Sequence, residues 1–298
     1  MAEPLVSVCV ITYNASKSIT ETLTSIKNQT YRNIELIISD DCSPDDTVIQ
    51  CQKWIEAHKS RFVRTEIITV TQNTGIAANA NRACSHAHGE WIKFIGDDIL
   101  CECAVDQYLS FISENPQAQI VFAKAKLFYP NNPHKAKDEI WPNNKQLTFY
   151  TLSAREQFES LLSENCVVAP TSFFHKDILS KYTFDERFKF IEDYPMWLKL
   201  THNNIKLFLL NEVTVYYRIT TSSLSINSKA FEPEQFLDSK MLHFFMEKKN
   251  YIQQYAPAIL KKEWKKLLIL EIAVLVFNNR RNIFSRIGLK IIKIILNL

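Results

Sequence analysis

Two apolar runs each end in a pair of acids, and this constrains the fold more than any other feature of the chain. Ile34-Glu35-Leu36-Ile37-Ile38-Ser39 leads into Asp40-Asp41-Cys42-Ser43, and Trp91-Ile92-Lys93-Phe94-Ile95-Gly96 leads into Asp97-Asp98. Short runs of this kind predict buried parallel strands. Open α/β sheets bind ligands beyond the carboxyl ends of their strands. Acid pairs delivered to that edge are costly unless a cation or a hydrogen-bond donor meets them. A nucleotide base and a divalent metal on a diphosphate would both meet that need.

The remaining pattern supports such a sheet. Strands are expected over 5–12, 34–39, 64–70 and 91–95, separated by helical segments. Ser18-Ile19-Thr20-Glu21 fits a capping box, and Ser43-Pro44-Asp45-Asp46 reads as an N-cap with Pro at the first helical position. Asn73-Thr74-Gly75 turns into an Ala-rich helix that ends near Gly89. Strand–helix alternation predicts a parallel, doubly wound arrangement. Further on, the pattern predicts helices over 100–114 and 153–163, and strands over 119–128, 167–174, 206–210 and 213–217. Residues 129–146 read as a polar lid-like loop, and the pattern from 232 onward is helical.

Composition narrows the chemistry. With 298 residues, 46% hydrophobic and 22% charged, the chain is an ordinary globular protein, and a net charge of only +3 gives no reason to expect nucleic acid. The four glycines, Gly75, Gly89, Gly96 and Gly288, assemble neither GxGxxG nor GxxxxGK[ST]. A bound diphosphate would therefore need a metal or basic side chains. Seven cysteines without a CxxC pair suit reduced thiols in the cytosol, and Met1-Ala2-Glu3-Pro4 leads into a strand pattern with no signal peptide expected.

Taken in order, Val6-Ser7-Val8-Cys9-Val10-Ile11-Thr12-Tyr13-Asn14, Asp40-Asp41-Cys42-Ser43, Asn73-Thr74-Gly75-Ile76-Ala77, Gly96-Asp97-Asp98 and Glu192-Asp193-Tyr194 resemble the family 2 glycosyltransferases, inverting enzymes of the GT-A fold. The resemblance spans roughly 4–225. It implies an α/β, doubly wound mixed sheet with helices on both faces. The expected domains are a catalytic domain over 1–228, with a nucleotide-binding half (1–100) and an acceptor half (101–228), and a helical C-terminal extension over 229–298. The implied activity moves a sugar from a UDP-sugar to a hydroxyl of a lipid-linked oligosaccharide, forming a β-linkage in bacterial surface polysaccharide or O-antigen synthesis. The implied location is the cytoplasmic face of the inner membrane.

The same resemblance implies roles. Thr12, Tyr13 and Asn14 would border the base and ribose, and Asp40 or Asp41 would accept the uracil N3 proton. Asn73 and Gly75 would lie beneath the donor, with Arg82 and Lys93 the nearest basic residues. Asp98, with Asp97 beside it, would hold Mn²⁺ or Mg²⁺, although Ile-Gly-Asp-Asp is one residue shorter than the common Asp-x-Asp-Asp form. Asp193, with Glu192 second, would be the general base. Arg218 would contact phosphate, with Thr220 where many relatives carry His. Basic residues and Ile283, Ile287, Ile291, Ile294 and Ile295 predict an interfacial helix on anionic lipid, or one packed on the domain or a second subunit. Two other functions share the scaffold. One is a sugar-phosphate nucleotidyltransferase, which should carry a Gly-rich basic loop that is missing here. The other is a non-catalytic nucleotide-sugar-binding protein.

Overall fold

A computed structural model describes residues 3–130, 139–163, 165–188, 192–219, 249–250 and 253–254. The chain divides into two compact units, one of Met1–Phe158 with Cys166–Thr220 and one of Glu159–Asn165 with Thr221–Leu298. The interfacial helix expected near the C-terminus, like Thr220, lies outside the described residues.

The first unit opens with β1 (Val6–Thr12), α1 (Ile19–Lys27), β2 (Ile34–Asp40), α2 (Thr47–His58), β3 (Arg64–Thr69), α3 (Ile76–Ser85) and β4 (Trp91–Ile95). It continues with β5 (Ile99–Leu100), α4 (Ala104–Glu114), β6 (Ile120–Phe128), β7 (Ile140–Trp141), α5 (Asn144–Leu147) and, as far as Phe158, α6 (Ala154–Leu161). Then follow β8 (Phe173–His175), α7 (Lys176–Lys181), α8 (Asp193–His202) and β9 (Phe208–Arg218). The strands form one sheet in the order β3-β2-β1-β4-β8-β6-β9-β5, with β7 paired to β6. β3, β2, β1 and β4 run parallel. β8 runs antiparallel to both β4 and β6 and joins the two halves, while β6 and β9 pair in parallel.

Burial explains why these runs become strands. Every residue of β2 and of β4 is buried, as in strands covered on both faces. Val8, Val10, Leu36 and Ile38 pack with Leu23 and Ile26 of α1 and with Phe173 of β8 in one core. Full burial of each large aliphatic side chain contributes about 1.5–3 kcal/mol. Polar groups buried in the same sheet, such as Ser7 and Glu35, offset their desolvation by hydrogen-bonding to each other.

Several local expectations are corrected. Ser18 caps nothing; its hydroxyl donates to the Ala15 carbonyl, and Glu21 pairs with Arg218 instead of closing a capping box. α2 begins at Thr47 rather than at Pro44, because the Ser43 hydroxyl oxygen already accepts the Asn14 N–H and is not available to the helix. The helix expected from Leu100 starts at Ala104, since Ile99 and Leu100 pair with β9. Residues 167–174 split into a 3-10 turn, Ala169–Thr171, and β8, because Pro170 has no N–H to give a ladder. The two strands expected over 206–217 are the single strand β9, kinked by register shifts opposite Ala123–Ala125. Residues 139–146 of the polar stretch carry β7 and the start of α5, the latter with a true capping box at Asn143 and Gln146; residues 131–138 lie outside the described residues.

Candidate active site

At the carboxyl end of β1 and β2 the loops are wired to one another. Thr12 and Asp40 are register partners, and the Asp41 N–H donates to the Thr12 carbonyl at 3.0 Å. The Asp41 carboxylate, 2% exposed, accepts the N–H of Thr74, the N–H of Gly75 (2.7 Å), the Thr74 hydroxyl (2.6 Å) and a guanidinium N–H of Arg82 (3.2 Å). Desolvation pushes its pKa up, but these donors together outweigh burial and hold it below the usual carboxylate value. Gly75 reaches this position at φ 92, a conformation that favours glycine. The Asn73 amide closes the loop by donating to the Asp41 carbonyl at 3.2 Å.

Asp40 serves a different turn. Its two oxygens accept the Ser43 N–H (2.8 Å) and hydroxyl (2.5 Å), and the Ser43 oxygen accepts the Asn14 N–H at 2.8 Å. Asn14 and Cys42 both stand at positive φ, 54 and 67. Thr12, Asn14, Asp40, Asp41, Asn73 and Gly75 thus belong to one hydrogen-bonded web. Tyr13 stands exposed at its mouth. Within the web the Thr12 hydroxyl is buried and meets no hydrogen-bond partner among the described residues. An unpaired buried hydroxyl costs about 1–3 kcal/mol unless a ligand or water meets it.

The second acid pair sits on the strand next door. β4 pairs with β1 as far as Val10↔Ile95, so Asp97 and Asp98 emerge at the same sheet edge as Thr12. Asp98 is 3% exposed, with Oδ1 accepting the Arg218 backbone N–H at 2.8 Å. Burial pushes its pKa up to about 7, the Arg218 bond and the Lys93 and Arg218 charges offsetting part of the rise and Asp97 adding to it. Asp97 is the exposed member of the pair, and its carboxyl is also raised, by desolvation against the pull of Arg218. The Arg218 side chain donates to the Asp97 carbonyl (2.6 Å) and to Glu21 (2.5 Å) and lies over the Phe128 ring. The arginine expected at phosphate is thus 7% exposed and spans the acid turn.

Among the described residues no group of three or more His, Cys, Asp or Glu is placed to hold a metal. The donors present still fit Mg²⁺ or Mn²⁺ bound together with a ligand. One or two carboxylates supply hard oxygen, and phosphate oxygens and water supply the rest. Asp97 is the accessible carboxylate for that purpose; Asp98 lies behind it with one oxygen committed to β9.

Glu192 and Asp193 stand at a third place, the start of α8, both half-buried. Desolvation, then the neighbouring Asp193 charge, raises the Glu192 pKa. Asp193 Oδ1 accepts the Tyr194 N–H at 2.7 Å. α8 is held by Trp197, which is 1% exposed and packs on Phe122 and Phe174 of the sheet.

The structure corrects the place of Lys93, expected as a basic residue near the donor, gives a place to Glu35, and corrects the place of Glu21, expected in a capping box. Lys93 is fully buried, its ammonium donating to the carbonyls of Phe94 (2.6 Å) and Pro170 (2.5 Å), and burial, partly countered by the Asp98 charge, lowers its pKa to about 7. Glu35 is buried at the opposite end of β2, accepting from Ser7, Arg64 and the His88 and Gly89 N–H groups. Glu21 anchors Arg218. A charged residue inside an otherwise apolar run was the available signal for the first two.

The family model for "Glycosyl transferase family 2" matches residues 7–183. The minor teichoic acid biosynthesis protein GgaB of Bacillus subtilis is 26% identical over 241 residues, which are 80% of this chain but only 25% of that protein. The Escherichia coli UDP-Glc:alpha-D-GlcNAc-diphosphoundecaprenol beta-1,3-glucosyltransferase WfgD is 27% identical over 229 residues, 76% of this chain and 82% of that one. Among solved structures, S. aureus TarS 1–349 in complex with UDP-GlcNAc superposes with a TM-score of 0.63 at 20% identity, covering 95% of this chain and 77% of that one. The likeness extends the GT-A expectation to the whole mixed sheet. With more than half of its length matched, the chain belongs to glycosyl transferase family 2 and is a glycosyltransferase.

Proposed function

We propose that this glycosyltransferase moves a sugar from a UDP-sugar to a hydroxyl of a lipid-linked saccharide, with inversion, in the assembly of a bacterial surface polysaccharide. The observation that carries the donor reading is the web that joins Thr12, Asp41, Gly75 and Arg82 beside the Asp97–Asp98 turn. The unpartnered Thr12 hydroxyl and exposed Tyr13 suit a base, which gives one a hydrogen bond and the other a ring to stack on. Support also comes from TarS, whose structure holds UDP-GlcNAc, and from WfgD, named for a diphosphoundecaprenol-linked acceptor and a beta linkage.

In this reading Asp41 stays with Thr74 and Gly75 and shapes the base pocket, and Arg82 carries positive charge into it. Asp97, backed by Asp98, holds Mn²⁺ or Mg²⁺, which when bound neutralises charge on the diphosphate. The Asp193 carboxylate takes the proton of the acceptor hydroxyl. The freed oxygen attacks the anomeric carbon from the face opposite UDP, and the bond to the phosphate oxygen breaks with its electron pair leaving on UDP. An α-linked donor thereby gives a β-glycoside. Glu192 remains the second choice for the base.

The domain reading accompanying this function is a catalytic domain over 1–228 and an extension over 229–298 that meets anionic membrane at the cytoplasmic face. No helix among the described residues is long and apolar enough to cross a membrane. Family membership favours transfer over pyrophosphate-releasing nucleotidyl transfer or ligand binding alone. The test is Asp193→Asn assayed for UDP release with a panel of UDP- and GDP-sugars and Mn²⁺. Lost turnover with UDP binding retained is the expected result; near-normal turnover overturns the base assignment, and no UDP binding by the wild type overturns the donor reading.

A further inference from the structure

α3 turns two sides to the rest of the chain. Asn79 is buried and donates its amide to the carbonyls of Ser39 (3.0 Å) and Thr12 (3.3 Å), while Arg82 donates to Asp41 and Thr74. That side carries the web at the proposed donor site. Asn81 lies two positions beyond Asn79, about 200° around a helix of 3.6 residues per turn, and its side chain is spent elsewhere. The Asn81 amide oxygen accepts the Phe184 N–H at 2.9 Å. Its N–H groups donate to the Phe184 carbonyl and to Glu186, each at 2.9 Å. Phe184 offers one backbone donor and one backbone acceptor, and a side-chain amide matches both, as a neighbouring strand would. A carboxylate at this position has no N–H to give, and an aliphatic side chain meets neither group.

The same segment is tied to the helix that begins at Asp193. The Lys199 ammonium of α8 donates to the Thr183 carbonyl at 2.9 Å. Phe184, itself buried, meets Phe94 of β4 and Phe174 of β8 edge-on, with ring centroids 5.5 and 6.3 Å away. Phe174 in turn stacks on Trp197 of α8 at 6.0 Å. Trp197 follows Asp193 at the i+4 spacing that puts two residues on one helix face. Thr183 and Phe184 therefore form a strut with α3 bonded to one side and α8 to the other.

We propose that Asn81 is a positioning residue: through the Phe184 strut it sets the placement of α8, and with it Asp193, relative to the helix at the donor site. The inference rests on the donor and base roles proposed above. Its test is hydrogen–deuterium exchange on the full chain, with and without UDP and Mn²⁺. In the wild type, UDP is expected to slow exchange in α3, in 183–188 and in α8. In Asn81→Ala the protection of α3 stays, that of 183–188 and α8 is lost, and UDP affinity by calorimetry is unchanged. An Asn81 that only braced the fold would raise exchange of 183–188 alike with and without UDP. Asn81→Asp keeps an acceptor for the Phe184 N–H and is expected to fall between the two; it replaces Asn81→Ala if thermal melting shows that the alanine variant unfolds. With any UDP-sugar that the wild type turns over, kcat for UDP release falls about 10- to 100-fold in Asn81→Ala at unchanged donor KM, as a misplaced reacting group requires. Coupled protection that persists in Asn81→Ala, protection confined to α3 in the wild type, or an unchanged kcat overturns the role of Asn81. A wild type that binds no UDP overturns the donor reading, seen separately by calorimetry, and Asp193→Asn tests the base on its own.

Discussion

The backbone N–H of Arg218 donates to Asp98 Oδ1 at 2.8 Å, so the last residue of β9 holds the turn that follows β4. The side chain adds a bond to the Asp97 carbonyl and an ion pair with Glu21. These two contacts differ in worth. Glu21 is half exposed, which limits the pair to about 0–1 kcal/mol. The carbonyl bond is charge-assisted and part-buried. Arg218→Ala should therefore cost about 2–3 kcal/mol in urea unfolding, and Glu21→Gln less than about 1 kcal/mol. Equal losses for the two variants would assign the clamp to the ion pair instead.

Asp98 should make the metal-free protein less stable as pH rises. Its folded pKa, raised to about 7 from 3.8, means that the native state keeps a proton that the unfolded state releases between those values. Stability at this site is full below pH 3.8 and is lost as pH climbs to about 7. With chelator present, Asp98→Asn removes that slope and gains about 2–4 kcal/mol on the wild type at neutral pH. Parallel pH profiles for the two proteins would show that Asp98 is ionised without penalty.

Lys93 should produce the opposite slope at higher pH. Its pKa falls to about 7 from 10.5, so the unfolded chain binds a proton that the native state has shed. Wild-type stability then rises from pH 7 towards 10, and Lys93→Met abolishes that rise. The methionine variant also leaves the Phe94 and Pro170 carbonyls short of a donor, a constant offset that the slope comparison ignores. Together the two buried groups put a stability minimum near neutrality, measurable as the urea midpoint against pH.

Asp41 follows the usual carboxylate pattern. Its depressed folded pKa contributes stability that is full above 3.8 and is lost as pH falls through the lower folded value. Asp41→Asn should cost about 2–3 kcal/mol at pH 7 and progressively less in acid. Calorimetry at pH 7 and at pH 3 checks the convergence. Because Asp41 holds the Thr74–Gly75 turn, the proposed donor site predicts a fall in UDP affinity in the same variant.

Much of this was legible from residue pattern. The runs at 34–39 and 91–95 became β2 and β4, and the Asn73–Gly75 turn sits where its glycine predicted. The acid turn was found, but the difference between its members was not. Which of Asp97 and Asp98 is buried depends on β9, more than a hundred residues away, and no local pattern encodes that pairing. The same distance hid Glu21: its spacing from Ser18 suggested a cap, and the stronger partner was Arg218. Pro170 was the one local clue against a strand over 167–174, and it prevailed.

β8 contributes only three residues, yet Phe173 faces Lys93 on one side and Val121 on the other. The parallel strands β1–β4 and the paired strands β6 and β9 therefore share a single hydrogen-bonded lattice and do not meet across a hinge. Rocking one against the other would tear ladder bonds. Exchanging β6 and β9 for foreign strands would have to preserve that three-residue rivet before any other consequence could be read.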